Sequence, residues 1–130
     1  MKVLVDTSVW IDFFRGGSSA PAARLEECIR QKEDICCCGF ILTEVLQGIR
    51  DEQEFIATKR RFEGLVYLTE DRSTFELGAG IYRELRRKGA TIRCPIDCLI
   101  AAIVVQHGVN LLENDRDFHF IDQHYPLNRL

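Results

Sequence analysis

An apolar run begins at the second residue of the chain and ends at an acid. Its residues, Lys2–Val5, include only one polar side chain, which is typical of a strand buried on both faces of a parallel sheet. The next residue, Asp6, is among the poorest strand formers. In open α/β sheets, ligands bind beyond the carboxyl ends of the strands. The sequence therefore predicts that Asp6, which Thr7 and Ser8 follow, caps a helix, binds a ligand or does both.

Short apolar runs alternate with amphipathic segments along the rest of the chain. Further strands are predicted at 35–38, 65–68 and 109–112, with a possible short edge strand at Phe120-Ile121. Helices are predicted between the strands, where apolar residues recur at spacings of three and four. This alternation predicts right-handed crossovers and an α/β fold, with a central parallel sheet of four to five strands between two helical layers. Because no linker-like segment occurs, residues 1–130 are expected to form a single domain.

The distribution of hydrophobic residues and cysteines restricts the environment of the protein. The first apolar run reaches Asp6 too soon for a signal peptide, and no apolar stretch approaches the roughly 18 residues that cross a bilayer. A cytoplasmic protein without membrane association is expected. Six cysteines are present, of which Cys36, Cys37 and Cys38 are consecutive and cannot easily pair or share a metal in a strand. Reduced cysteines in the core are therefore favoured over disulfides or zinc.

The net charge of −3 does not exclude a nucleic-acid partner. If five of the acidic residues surround cations, the basic residues outnumber the acidic residues that remain, and the rest of the protein is slightly positive. Basic residues also occur in groups, at 59–61 and between 83 and 93. Solvated helix faces are the ordinary explanation of such groups. Next to an acidic pocket, the same side chains could contact a phosphate backbone.

Four carboxylates lie where this fold would bring chain segments together. Asp6 and Asp115 each follow a predicted strand, and Asp97 lies in the first turn of a predicted helix. Glu44 lies in a predicted helix with mostly apolar neighbours, so it is either at the rim of the core or has a partner. Each of the aspartates alone has a structural explanation as a cap, a helix N-terminal acid or a turn residue. Their joint placement predicts one acidic site.

Clustered carboxylates need a cation, because like charges a few ångströms apart cannot all remain ionised. The set contains no His or Cys, which favours the hard ions Mg²⁺ or Mn²⁺ over zinc. A site of this kind suits phosphodiester hydrolysis.

Four ordered motifs carry a family resemblance: Val5–Ser8, Thr43–Val45, Asp97–Ala102 and Leu112–Phe118. Together they resemble PIN-domain ribonucleases, in particular the VapC toxins of prokaryotic type II toxin–antitoxin pairs, from residue 3 to about 122. The resemblance implies a PIN-like α/β/α sandwich and RNA cleavage dependent on Mg²⁺ or Mn²⁺. It also implies a homodimer, inhibition by a cognate VapB-type antitoxin, and a heterotetramer or larger assembly with that antitoxin.

The resemblance also assigns roles by position. Asp6, Glu44, Asp97 and Asp115 match the acidic quartet of the family, with Asp6, Asp97 and Asp115 expected to coordinate the metal. Glu44 is expected to hold a water at the metal or a second ion. Asp117, Thr7 and Ser8 match accessory positions, and Arg93 and Arg116 are candidate contacts to RNA phosphates. Glu113 departs from the family pattern, because relatives often have Thr or another small polar residue there.

Two other functions and one surface remain open from the sequence. A receiver-like signalling module with an acidic Mg²⁺ pocket is one alternative, although the expected Lys after a late strand is missing. A PIN-type nuclease that acts on DNA is the other. Trp10, Phe13 and Phe14 lie on the first predicted helix, where they would either pack in the core or contact an antitoxin helix.

Overall fold

The computed structural model describes all residues, 1–130, as four parallel strands and seven helices. The sheet order is β3-β2-β1-β4, so the predicted parallel α/β architecture is confirmed with four strands. The elements are, in chain order, β1 (Lys2–Val5), α1 (Thr7–Phe14), α2 (Ala20–Arg30), β2 (Asp34–Cys38), α3 (Gly39–Gln47), α4 (Glu52–Phe62), β3 (Val66–Leu68), α5 (Arg72–Arg87), α6 (Pro95–His107), β4 (Asn110–Leu112) and α7 (Arg116–His124).

The order of the strands explains why helices cover both faces of the sheet. The chain moves outwards in one direction from β1 to β3 and then crosses to β4 on the other side of β1. Since such crossovers are right-handed, the two directions place their helices on opposite faces. The helices pack accordingly in two groups, α1–α4 and α5–α7. The strand order reverses between β1 and β4, which makes their carboxyl ends the expected ligand site.

The central strands are buried on both faces, as their apolar sequences predict. Val3, Leu4 and Val5 are fully buried, and Leu4 pairs with Cys36 of β2 and with Leu111 of β4. All six cysteines are free, and the three consecutive ones of β2 lie in the core. Burial raises the pKa of Cys37 to about 12 and that of Cys38 to about 11, so these thiols stay protonated.

An aromatic cluster fills the space between α1 and α4. Trp10 is buried and its ring centroid lies 4.8 Å from that of Phe62, with the Phe14 ring stacked 5.6 Å away. Trp10 therefore packs in the core, whereas Phe14 is exposed at its rim. Core packing is thus observed for Trp10, and contact of this helix with an antitoxin stays a prediction.

The predicted edge strand at Phe120-Ile121 is wrong, because these residues lie in α7. Asp115 caps this helix, and the buried side chains of Phe118 and Ile121 are three residues apart, which is a helical spacing. The edge of β4 is instead paired with the C-terminal tail, through an isolated parallel bridge between Leu111 and Arg129. None of the helices combines the length and the hydrophobicity that crossing a membrane would require.

Candidate active site

Asp6 lies at the end of β1 and is also the N-cap of α1. Its Oδ2 accepts hydrogen bonds from Ser8 Oγ at 2.8 Å and from the Ser8 backbone N–H at 3.4 Å. The residue is only 6% exposed. Asp6 is therefore a helix cap, as predicted, and also a buried acid at the switch point of the sheet. Its role as a ligand stays a prediction.

Asp97 reaches the same region from the other helical layer. Pro95 starts α6 and places Asp97 in its first turn. The carboxylate is 7% exposed, and its buried Oδ2 has no hydrogen-bond partner. Because buried polar atoms are almost always paired, this oxygen is suited to a ligand outside the protein chain.

Asp115 and Asp117 complete the cluster at the start of α7. Asp115 Oδ1 accepts a hydrogen bond from the Asp117 backbone N–H at 2.9 Å, which fixes the turn between them. One carboxylate oxygen from each of Asp97, Asp115 and Asp117 lies within 4.8 Å of the other two. This group of three carboxylates therefore contains Asp117, which was predicted only as an accessory residue. Asp6, predicted as a direct ligand, is not part of it.

The negative charges of these acids repel one another. Burial, and then the neighbouring charges of Asp6, Asp115, Asp117 and Glu44, raise the pKa of Asp97 to about 8. Burial also raises the pKa of Asp6, against the hydrogen bonds from Ser8. Since each negative charge disfavours ionisation of the others, a bound cation would stabilise the ionised cluster.

Glu44 extends the site from α3. Its Oε1 accepts a hydrogen bond from Thr7 Oγ1 at 3.1 Å, which ties α3 to the start of α1. Thr7 and Ser8 thus have separate partners, Glu44 and Asp6. Glu44 is near enough to raise the pKa values of both Asp6 and Asp97. All four acids predicted from the sequence therefore converge at one edge of the sheet.

The two candidate RNA-binding arginines differ in their position. Arg93 lies beside the cluster, with Nη2 3.8 Å from Asp115 Oδ1 and Nε 3.7 Å from Asp117 Oδ1. Its side chain is 75% exposed, so the guanidinium can also reach a ligand in solvent. Arg116 is exposed and makes no ion pair with the acids.

Glu113 and Arg129 belong to the site although the sequence assigned no role to either. Glu113 is buried, and its Oε2 accepts the Asp115 backbone N–H at 2.8 Å. Its other oxygen contacts Arg129 Nε at 3.2 Å. The sequence carries one indication of a role for Glu113, since this residue departs from the family pattern. Nothing in the sequence pointed to Arg129, which is 16 residues away.

The donor set fits a hard divalent cation. Every candidate ligand is a carboxylate oxygen, three of them can reach a common point, and one buried oxygen of Asp97 lacks a partner. Such a cation would offset the repulsion that raises the pKa of Asp97.

Comparison with known proteins agrees with this architecture. The family model described as the PIN domain matches residues 3–123, and the chain therefore belongs to the PIN-domain family, within the group of VapC proteins. Ribonuclease VapC11 of Mycobacterium tuberculosis is 36% identical over 121 residues, which cover 92% of this chain and 90% of that protein. Ribonuclease VapC19 of the same species is 28% identical over 124 residues, covering 95% and 92% of the two chains.

Solved structures support the same fold. VapBC2 from Rickettsia felis, bound to a DNA fragment from their promoter, matches with a TM-score of 0.77 and 17% identity, covering all of this chain and 98% of the other. FitAcB from Neisseria gonorrhoeae matches with a TM-score of 0.69 and 19% identity, covering 92% and 93%. The sequence-based assignment to the PIN-domain family is confirmed. The receiver-like and DNA-directed alternatives find no support among these relatives.

Proposed function

We propose that this protein is an endoribonuclease that requires a divalent cation and acts as the toxin of a type II toxin–antitoxin pair. The observation that carries the proposal is the convergence of Asp97, Asp115 and Asp117 within 4.8 Å at the switch point of the sheet. Support for RNA as the substrate comes from the relatives named ribonucleases, which align with nine-tenths of the chain. We also infer that residues 1–130 form one PIN domain, since the buried residues form a continuous hydrophobic core.

Mg²⁺ is the proposed cation, and Mn²⁺ is its expected substitute. Asp97, Asp115 and Asp117 would hold it, with Asp6 near enough for its charge to raise the pKa of Asp97. When bound, such a cation lowers the pKa of water and neutralises charge on the reacting phosphate.

The side chains of the protein orient the reactants around this position. Thr7 holds Glu44 through Oε1, which leaves Oε2 to accept a hydrogen bond from the attacking water. Ser8 holds Asp6 in the same way, so that the carboxylate keeps its direction when the charge of the site changes. Arg93, which lies beside Asp115 and is exposed, would donate hydrogen bonds to a phosphate next to the cleaved bond without selecting a base.

A cleavage assay with matched RNA and DNA strands tests the proposal. The protein is incubated with each strand in Mg²⁺, in Mn²⁺ and in excess chelator, and the ends of the fragments are mapped. We expect internal cleavage of RNA with either ion and none with chelator. Equal cleavage in chelator would contradict the role of the cation, and preferential cleavage of DNA would contradict the substrate.

A cognate VapB-type antitoxin is the proposed protein partner, and the free toxin is proposed to be a homodimer. A solved structural neighbour from Klebsiella pneumoniae is described as a toxin–antitoxin complex, at 19% identity and a TM-score of 0.70. Co-expression with the product of an adjacent small gene should yield a stable complex of heterotetrameric or larger mass that no longer cleaves RNA. Light scattering would measure both masses, and retention of full activity in the complex would contradict the inhibitory role.

A further inference from the structure

The C-terminal tail returns to the sheet after α7 and is held at the edge of β4. The Leu111 backbone N–H donates to Asn128 O at 2.7 Å, and the Leu130 N–H donates to Leu111 O at 2.9 Å. Leu127 is buried, and its backbone N–H donates to Asp122 Oδ1 at 2.7 Å. These bonds on both sides of Arg129 fix its backbone beside the acidic loop.

Every nitrogen of the Arg129 guanidinium has a partner. Nε donates to Glu113 Oε1 at 3.2 Å, and Nη1 donates to Asp122 Oδ2 at 2.9 Å. Nη2 lies 2.8 Å from His119 Nδ1. Arg129 therefore joins the loop after β4 to two positions on α7, and the planar shape of its head group suits this geometry.

Glu113 links Arg129 to the acidic cluster, because each of its two carboxylate oxygens has a different partner. While its Oε1 binds Arg129, its Oε2 accepts the backbone N–H of Asp115 at 2.8 Å. Asp115 in turn accepts the backbone N–H of Asp117 at 2.9 Å. A continuous series of hydrogen bonds thus runs from the C-terminal tail to the carboxylate of Asp115 and the backbone of Asp117, two of the three residues in the cluster.

Arg129 is needed in this series of hydrogen bonds because it neutralises the charge of the buried Glu113. Glu113 is 8% exposed and lies beside Asp115, one of the acids whose charges repel one another at this edge of the sheet. A buried carboxylate without a partner is strongly unfavourable, so without Arg129 this side chain would turn towards solvent or move the loop. Its only other cationic neighbour is His119, 3.6 Å away and charged only when protonated.

We propose that Arg129 and Glu113 are positioning residues that hold the 113–117 loop in the geometry for cation binding, so that the C-terminal tail is part of the active site. The inference rests on the proposed function for the identity of the cation. Partners behind the direct ligands of a metal commonly change its affinity by 10- to 100-fold when they are removed. A purely structural ion pair would change stability and leave the affinity for the cation unaltered.

The test uses the full-length protein with Arg129→Leu, and Arg24→Leu as a matched control. Arg24 also forms an ion pair, with Glu27 at 2.9 Å, but on α2 away from the acids. Mn²⁺ affinity is measured by calorimetry, and hydrogen exchange is measured at the Asp115 amide without metal. We expect Arg129→Leu to weaken Mn²⁺ binding about tenfold and to speed exchange of this amide, and Arg24→Leu to change neither.

A third variant separates charge from shape. In Glu113→Gln combined with Arg129→Leu, a neutral acceptor for the Asp115 N–H remains, and the side chain at position 113 no longer carries a buried charge that has lost Arg129. Mn²⁺ affinity should therefore recover at least partly relative to Arg129→Leu alone.

The outcomes distinguish this inference from the proposed function. Unchanged Mn²⁺ affinity in Arg129→Leu would overturn the positioning role, even if its melting temperature falls or exchange of the Asp115 amide becomes faster. Wild-type protein that binds no Mn²⁺ would overturn the proposed function instead. In that case exchange of the Asp115 amide still decides whether Arg129 orders the loop.

Discussion

Asp97 is the acid whose ionisation burial and the neighbouring negative charges together disfavour. Its pKa of about 8 lies above the ordinary value of 3.8, so between these values the folded protein keeps a proton that the unfolded chain has lost. Unfolding releases this proton, and stability therefore falls as pH rises through this window. Each unit of pKa difference corresponds to about 1.4 kcal/mol.

The first prediction follows from this sign. Without metal, the wild-type protein should melt at a lower temperature at about pH 8.5 than at about pH 6, and Asp97→Asn should reduce this difference by at least about half, since an amide carries no proton to lose. Calorimetric melting in chelator measures both. The histidines are the same in both proteins, so their titration cancels. An equal pH dependence in the two proteins would contradict the raised pKa of Asp97.

The second prediction compares Asp117 with Asp6 as ligands. Asp117 belongs to the group within 4.8 Å, whereas Asp6 acts on Asp97 from outside that group. Asp117→Asn should therefore weaken Mn²⁺ binding at least as much as Asp6→Asn does. Calorimetric titration of both variants checks this order. If only Asp6→Asn weakens binding, the ligand set expected from the family resemblance is correct and the compact cluster is not.

The third prediction concerns Arg93, whose guanidinium lies near both Asp115 and Asp117. Arg93→Ala should raise KM for RNA several-fold and reduce the salt dependence of RNA binding by about one charge. The same change should strengthen Mn²⁺ binding, because it removes a positive charge from the cluster. Arg30→Ala, at the exposed end of α2, is the control and should alter none of these quantities. Weaker binding of both ligands would indicate loss of structure.

At the scale of elements, the site is assembled from helix N-termini. Asp6 and Asp115 are the N-caps of α1 and α7, and Asp97 lies in the first turn of α6. Each of these helix ends carries partial positive charge, which stabilises the acids before any cation binds. The ordinary explanation of each acid and its functional explanation are thus compatible, because the helix N-termini that stabilise these acids also bring them together.

The packing of α5 on α6 gives the fourth prediction. A methyl group added at Gly78 would lie 2.5 Å from Leu99 Cδ2 and 3.4 Å from its Cα, whereas Gly80 has open space. Gly80→Ala should stabilise the protein by about 0.5–1 kcal/mol through helix propensity. Gly78→Ala should lose that gain to the contact with Leu99. Urea unfolding compares the two, and equal stabilisation would contradict the close approach of the helices.

At the scale of the whole molecule, local patterns were sufficient for most of the fold. The apolar run at 35–38 predicted β2, observed at Asp34–Cys38, since a strand buried on both faces needs no alternation. Helix α2 begins with Ser19 as its N-cap and Pro21 in its first turn, and α6 ends at Gly108 with a φ of 62°, which are ordinary sequence signals of helix ends. The sequence at α7 suggests a strand because Phe120 and Ile121 are adjacent bulky residues, although Phe118 and Ile121 have a helical spacing.

The site could be predicted only where its residues follow strands or begin helices. Asp6 and Asp115 follow strands directly, so the rule for parallel sheets placed them together. Arg129 lies in a tail with no regular pattern, and its contact with Glu113 depends on how that tail returns to β4. The participation of Asp117 in the tight group depends on the backbone turn at Asp115, which sequence spacing does not determine.

Cleavage of single-stranded RNA by Asp97→Asn tests the central claim most directly. The matched control is Asp34→Asn, an exposed aspartate at the opposite, amino end of β2. Both rates are measured in Mg²⁺ after melting has shown that the variants are folded. The account predicts a loss of about 100-fold or more for Asp97→Asn and a wild-type rate for Asp34→Asn. Cleavage by folded Asp97→Asn at the wild-type rate would contradict it.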